Sequence, residues 1–74
     1  MQVTVMKRTY QMSQEEYEGL LEIASEQVPF GIYAVEKQGY AELRNDKCKS
    51  ITQLKMLTRQ FKARGFKVHA NKNV

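Results

Sequence analysis

Two capping boxes fix where helices begin in this chain of 74 residues, and they constrain its fold more than any other feature. Ser13-Gln14-Glu15-Glu16 and Ser50-Ile51-Thr52-Gln53 both place a serine three residues before a Glu or Gln. Such side chains satisfy backbone N–H groups in the first turn of a helix. Apolar residues at helical spacing follow each box. Pro29 then ends the first helix and Gly65 the second, so the sequence predicts two amphipathic helices.

Four segments with strand-like patterns surround these helices. Residues 3–10, 30–37, 40–44 and 66–70 are rich in β-branched, aromatic or alternating apolar residues. Gln38-Gly39 predicts a two-residue turn between the second and third segments. The resulting order, βαββαβ, predicts an α+β ferredoxin-like split-βαβ sandwich. We expect a four-stranded antiparallel sheet with both helices on one face, which leaves the other face open.

The hairpin register predicts which side chains occupy that open face. The inner face is expected to carry small and aliphatic side chains, namely Val3, Val5, Ile32, Ala34, Ala41 and Leu43. The outer face is expected to present Tyr33, Val35, Tyr40 and Arg44. Because tyrosine is enriched at the centres of protein interfaces, this set predicts an interaction face for a protein partner or for a second copy in a homodimer.

Charge is divided between the two halves of the chain. Six acids and no Lys or Arg lie between Gln11 and Glu36, whereas nine bases and one acid lie between Arg44 and Val74. A predicted anion-binding patch consists of five bases in or near the second helix: Lys47, Lys49, Lys55, Arg59 and Lys62. Clustered bases attract phosphates, so nucleic-acid binding is the alternative function. With both helices on one face, the acidic and basic stripes are expected to be neighbours and partly cancel.

The titratable residues do not predict catalysis. Cys48 and His69 are single residues of their kinds, and neither has a sequence partner that would activate it. No phosphate-binding loop, dinucleotide fingerprint or metal-ligand spacing occurs. We therefore expect no enzymatic activity, cofactor, metal or small-molecule ligand.

Cysteine content and hydropathy bear on compartment and domain organisation. A single cysteine is typical of a reducing cytoplasm, and the apolar runs are far shorter than the ~20 residues of a membrane span. The sequence thus predicts one cytoplasmic domain over residues 1–74, without a membrane partner. Residues 71–74 are expected to form a frayed tail.

The N-terminal third carries a family resemblance. Met6-Lys7-Arg8-Thr9-Tyr10-Gln11-Met12-Ser13-Gln14-Glu15-Glu16-Tyr17, followed by Leu20-Leu21, resembles the start of many short uncharacterised bacteriophage and prophage proteins. The resemblance implies an accessory protein of the host cytoplasm that binds and blocks a host enzyme or defence factor, and it assigns no site residues. Residues and resemblance together predict a binding module, for a protein partner first and for nucleic acid as the alternative.

Overall fold

The computed structural model describes residues 1–72, and it consists of two helices and five strands. In chain order the elements are β1 Gln2–Val5, β2 Arg8–Gln11, α1 Gln14–Gln27, β3 Phe30–Lys37, β4 Tyr40–Lys47, α2 Ile51–Ala63 and β5 Lys67–Lys72. The strands form one mixed sheet in the order β2-β1-β4-β3-β5. The predicted α+β class is therefore confirmed.

Both helices begin where the capping boxes predict. The Ser13 hydroxyl accepts a hydrogen bond from the Glu16 N–H at 3.1 Å, and the Glu16 carboxylate accepts from the Ser13 N–H at 3.0 Å. At the second box the Ser50 hydroxyl accepts from the Gln53 N–H, while the Gln53 side chain accepts from the Lys49 N–H. These bonds satisfy N–H groups that have no partner within the helix itself.

The first predicted strand is in fact a hairpin. β1 and β2 pair in antiparallel fashion with Val5 opposite Arg8, so Met6 and Lys7 form a two-residue turn. Both turn residues have positive φ angles, 49° and 72°. Such turns normally contain Asn or Gly, and neither occurs here, which is why the sequence pattern did not predict the turn. The sheet consequently has five strands rather than four.

The predicted ferredoxin-like sheet is matched only in part. The turn at Gln38 and Gly39 is confirmed, with Lys37 opposite Tyr40 and a φ of 77° at Gly39. However, β1 pairs in parallel with β4, and β5 lies beside β3 instead of beside the first strand. The sheet is thus mixed, not antiparallel throughout.

A β-bulge in β3 alters which of its residues share a face. The register of β3 with both of its neighbours shifts between Ile32 and Ala34, at the position of Tyr33. An extra residue in one strand changes the side-chain alternation. As a result Ile32 and Val35 lie in one buried cluster, which includes residues of α2. Ala34, between them, pairs with Leu43, which packs against a second cluster that includes Tyr17 of α1.

The two helices cover opposite faces of the sheet. Val35 packs with Leu54 and Phe61 of α2, whereas Ala41 packs with Tyr17 of α1. Ala41 is paired with Glu36, the neighbour of Val35, and neighbouring residues of a strand point to opposite faces. The expectation of two helices on one face is therefore wrong. β3 is apolar on both faces, as strands covered on both sides are.

The end of β5 is held by a side chain. Asn71 donates hydrogen bonds from its amide to the carbonyl oxygens of Ser25 and Val28, both at 2.9 Å, at the C-terminal end of α1. The predicted frayed tail thus excludes Asn71 and Lys72, which belong to β5. Its remaining residues, 73 and 74, lie outside the described residues.

Candidate binding site

The predicted interaction face is not a single surface. Val35 is 1% exposed beneath α2. The Tyr33 ring lies 6.0 Å from the ring of His69, which pairs with Ala34 on the α1 side. Tyr40 pairs with Lys37 on the α2 side. The bulge and the placement of α2 therefore divide the set between the two faces and the core.

Arg44, the fourth member of that set, forms ion pairs with two carboxylates. Its guanidinium donates to Glu42 and Asp46 and lies 4.9 Å from the centre of the Phe61 ring. The hydrogen bond to Asp46 is the largest cause of a raised pKa for Arg44, and it outweighs the opposing effect of burial. Arg44 therefore anchors β4 beneath α2, and its charge is neutralised locally.

His69 has a partner that the sequence did not reveal. Its Nε2 bonds to the Glu36 carboxylate, which also accepts from the Tyr17 hydroxyl at 3.1 Å. Burial acts to raise the pKa of Glu36, but hydrogen bonds from His69 and Tyr17 and the charges of His69 and Lys67 together lower it. This cluster joins α1, β3 and β5, which is a structural role.

A groove lies between α2 and the edge strand β5, and we call it the α2–β5 groove. Its volume is about 320 Å³, and it is lined by Leu54, Lys55, Thr58, Arg59, Lys62 and Lys72. Three residues of the predicted anion-binding patch, Lys55, Arg59 and Lys62, are thus brought together. Lys72 joins them from the strand. The sequence reasoning missed Lys72 because it assigned that residue to the tail.

The other two patch residues lie outside the groove. Lys47 is at the end of β4, where it pairs with Gly31, and Lys49 is in the loop before α2. Cys48 between them is half-buried, and burial, followed by the charge of Asp46, raises the pKa of its thiol. The two lysines therefore do not activate this cysteine.

The cations of the α2–β5 groove are not compensated by acids in its wall. Among residues 1–72, which include all eight acids of the chain, no carboxylate lines the groove. The acids of α1 are all exposed and belong to the helix on the opposite face of the sheet: Glu15, Glu16, Glu18, Glu22 and Glu26. The expected partial cancellation of the acidic and basic stripes is therefore wrong.

β5 gives the groove a second property, an open strand edge. β5 is last in the sheet order and pairs with β3 alone within the part of the chain that the structure describes. The outer side of an edge strand presents unpaired N–H and C=O groups to its surroundings. The groove thus combines cations with backbone groups that can form hydrogen bonds.

No protein-family model, curated protein or solved structure matches this chain. Within residues 1–72, His, Cys, Asp and Glu side chains form no group of three that could hold a metal ion. Neither described helix is long and apolar enough to cross a membrane.

Proposed function

We propose that this protein is a non-enzymatic binding module that holds an acidic segment of a protein partner in the α2–β5 groove. The observation that carries the proposal is the convergence of four cations from two elements on one groove without acids in its wall: Lys55, Arg59, Lys62 and Lys72. Carboxylates would neutralise these charges, and the stems of the lysines would pack along the bound chain.

The groove favours a peptide over nucleic acid. Leu54 lies beneath the groove and is only 1% exposed, so apolar contact to a peptide would come from the methylene stems of Lys55 and Lys62. Over the described residues, the groove has no aromatic lining side chain on which a base could stack. The open edge of β5 can bond to a peptide backbone. Nucleic acid would use only the phosphate attraction of the site.

A second copy of the chain is a poorer occupant. The acidic residues that could enter the groove are those of α1, which is helical and lies on the opposite face. Contact between two different surfaces is head-to-tail, and such contacts produce open chains of molecules unless the geometry closes a ring. We therefore expect the protein not to form a closed dimer through this groove.

The strength of binding should depend on salt. Exposed ion pairs contribute about 0.2–1 kcal/mol each. Loss of two of them should raise the dissociation constant about tenfold. Screening shortens the range of such charges to about 8 Å at physiological ionic strength. Binding of an acidic peptide should accordingly weaken as salt is raised.

The test compares two variants that lose one lysine and one arginine each. Lys55→Gln/Arg59→Gln removes two groove cations. Lys7→Gln/Arg8→Gln removes the same charge from the turn before β2 and from the first residue of β2, at the opposite edge of the sheet. Fluorescence anisotropy with a labelled Glu-rich peptide gives the dissociation constants, and circular dichroism checks folding. We expect about tenfold weaker binding only for the groove variant.

Two results would contradict the proposal. Equal weakening in both variants would mean that the peptide responds to net charge and not to the groove. The second result concerns single- and double-stranded oligonucleotides, measured from ~50 to ~200 mM salt. If the protein binds them more tightly than the peptide, and the groove variant loses this binding, nucleic-acid binding would replace the proposal.

A further inference from the structure

Resting on the proposed function, we infer that the acidic segment binds as a sixth strand on the open edge of β5, with its acidic side chains at alternate positions. β5 is a strand of six residues, Lys67–Lys72, and its partner β3 lies on one side only among the described residues. An extended peptide on the other side would pair with its unpaired backbone groups.

The pairing of β5 defines the two faces that an added strand would continue. Val68 is opposite Val35 on the α2 side, and His69 is opposite Ala34 on the α1 side. Side chains of an added strand would alternate between the same two faces. Every second side chain would therefore point to the side of the sheet that carries α2 and the groove cations.

The spacing of the groove cations agrees with this alternation. Lys55 and Lys62 are two turns apart on α2, which corresponds to about 10 Å along the helix. Alternate side chains of a strand are about 7 Å apart. Two or three alternate carboxylates would thus match the distance between Lys55 and Lys62, whereas consecutive carboxylates would point to both faces.

The charges of β5 also select its partner. Lys67 and Lys72 stand at the two ends of the strand. Two copies of β5 would bring together strands that each carry two lysines and no acid, which is unfavourable because like charges repel across a strand pair. Edge lysines commonly prevent pairing between copies in this way. The same charges attract an acidic strand.

The first test uses two peptides of one composition on the intact protein. One alternates Thr and Glu, and the other has the Thr and Glu residues in two blocks. We expect the alternating peptide to bind about tenfold more tightly. Equal affinity of the two peptides would overturn strand addition. If neither peptide binds the protein at all, the proposed function itself fails.

The second test probes the backbone bonds directly. In a β-strand the N–H groups of alternate residues point to the same side, so N-methylation of all Thr or of all Glu residues blocks one side of the alternating peptide. We expect one methylated peptide to bind about tenfold more weakly and the other to bind normally. Normal binding of both would overturn strand addition. Sensitivity to Lys55→Gln/Arg59→Gln would then still support capture in the groove.

Discussion

Replacement of Gly31 by alanine tests the close approach of β3 and β4 at the bulge. Gly31 has a φ of 146°, and an added Cβ would lie 2.1 Å from the backbone oxygen of Asp46. The backbone conformation alone costs a non-glycine residue about 1–3 kcal/mol. Relief of the contact would require the two strands to separate, because the clashing atom is backbone. We expect a loss of more than about 3 kcal/mol.

That loss is large for a chain of 74 residues. At the usual stability per residue, the whole domain has a free energy of unfolding of about 4–11 kcal/mol. Gly19→Ala is the matched control, since Gly19 lies inside α1 and a Cβ there would meet nothing within 4 Å. Alanine should stabilise that helix by about 0.5–1 kcal/mol.

Urea unfolding followed by circular dichroism measures both changes. The two Gly→Ala substitutions should have opposite signs, with similar m-values if only the folded state is affected. If Gly31→Ala fails to fold while Gly19→Ala folds normally, the predicted direction still holds. A Gly31→Ala protein within about 1 kcal/mol of the parent would refute the described contact between β3 and β4.

Three further predictions concern the Met6–Lys7 turn, the cluster of Glu36 with His69 and Tyr17, and the end of α1. Met6→Asn with Lys7→Gly should raise the free energy of unfolding by about 1 kcal/mol, seen as a higher Tm, because both turn residues have positive φ. Glu36 stabilises the protein above its unfolded pKa of 4.5, and this contribution is lost as pH falls through the lower folded value. In Glu36→Gln the urea midpoint of unfolding should therefore decrease less at acidic pH than in the parent protein. The same pH dependence in both proteins would contradict this. Asn71→Ala should lower the free energy of unfolding by about 1–2 kcal/mol and speed amide exchange at the end of α1.

Local signals predicted both helices and the central hairpin, but neither the N-terminal hairpin nor the arrangement of the elements. The serine caps located both helices, and Gln38-Gly39 located the central hairpin, because each acts through bonds between near neighbours. The Met6–Lys7 turn has no favoured turn residue. The sidedness of β3 depends on the bulge at Tyr33, which arises from pairing with distant strands. Tertiary contacts therefore decided which face each helix covers.

The candidate site shows the same division. Helical spacing alone places Lys55, Arg59 and Lys62 on one flank of α2, and the sequence predicted them as part of a basic stripe, not of a groove. Lys72 contributes only because β5 extends to it and lies beside β3. A polar tail such as Asn71-Lys72 carries no pattern that would indicate a strand. The strand edge and its lysine consequently could not be predicted.

Separation of the two charged surfaces leads to a last prediction. Packed layers are about 10 Å apart, so outer stripes of helices on opposite faces are about 20 Å or more apart, beyond the ~8 Å screening length. Glu18→Gln/Glu22→Gln, which removes two exposed acids of α1, should therefore change the dissociation constant for an acidic peptide by less than about twofold at ~0.15 M salt. If the two stripes were neighbours, as the sequence alone suggested, the acids would repel the peptide and their removal would tighten binding. Tightening by more than about fivefold would thus contradict the placement of α1 and α2 on opposite faces.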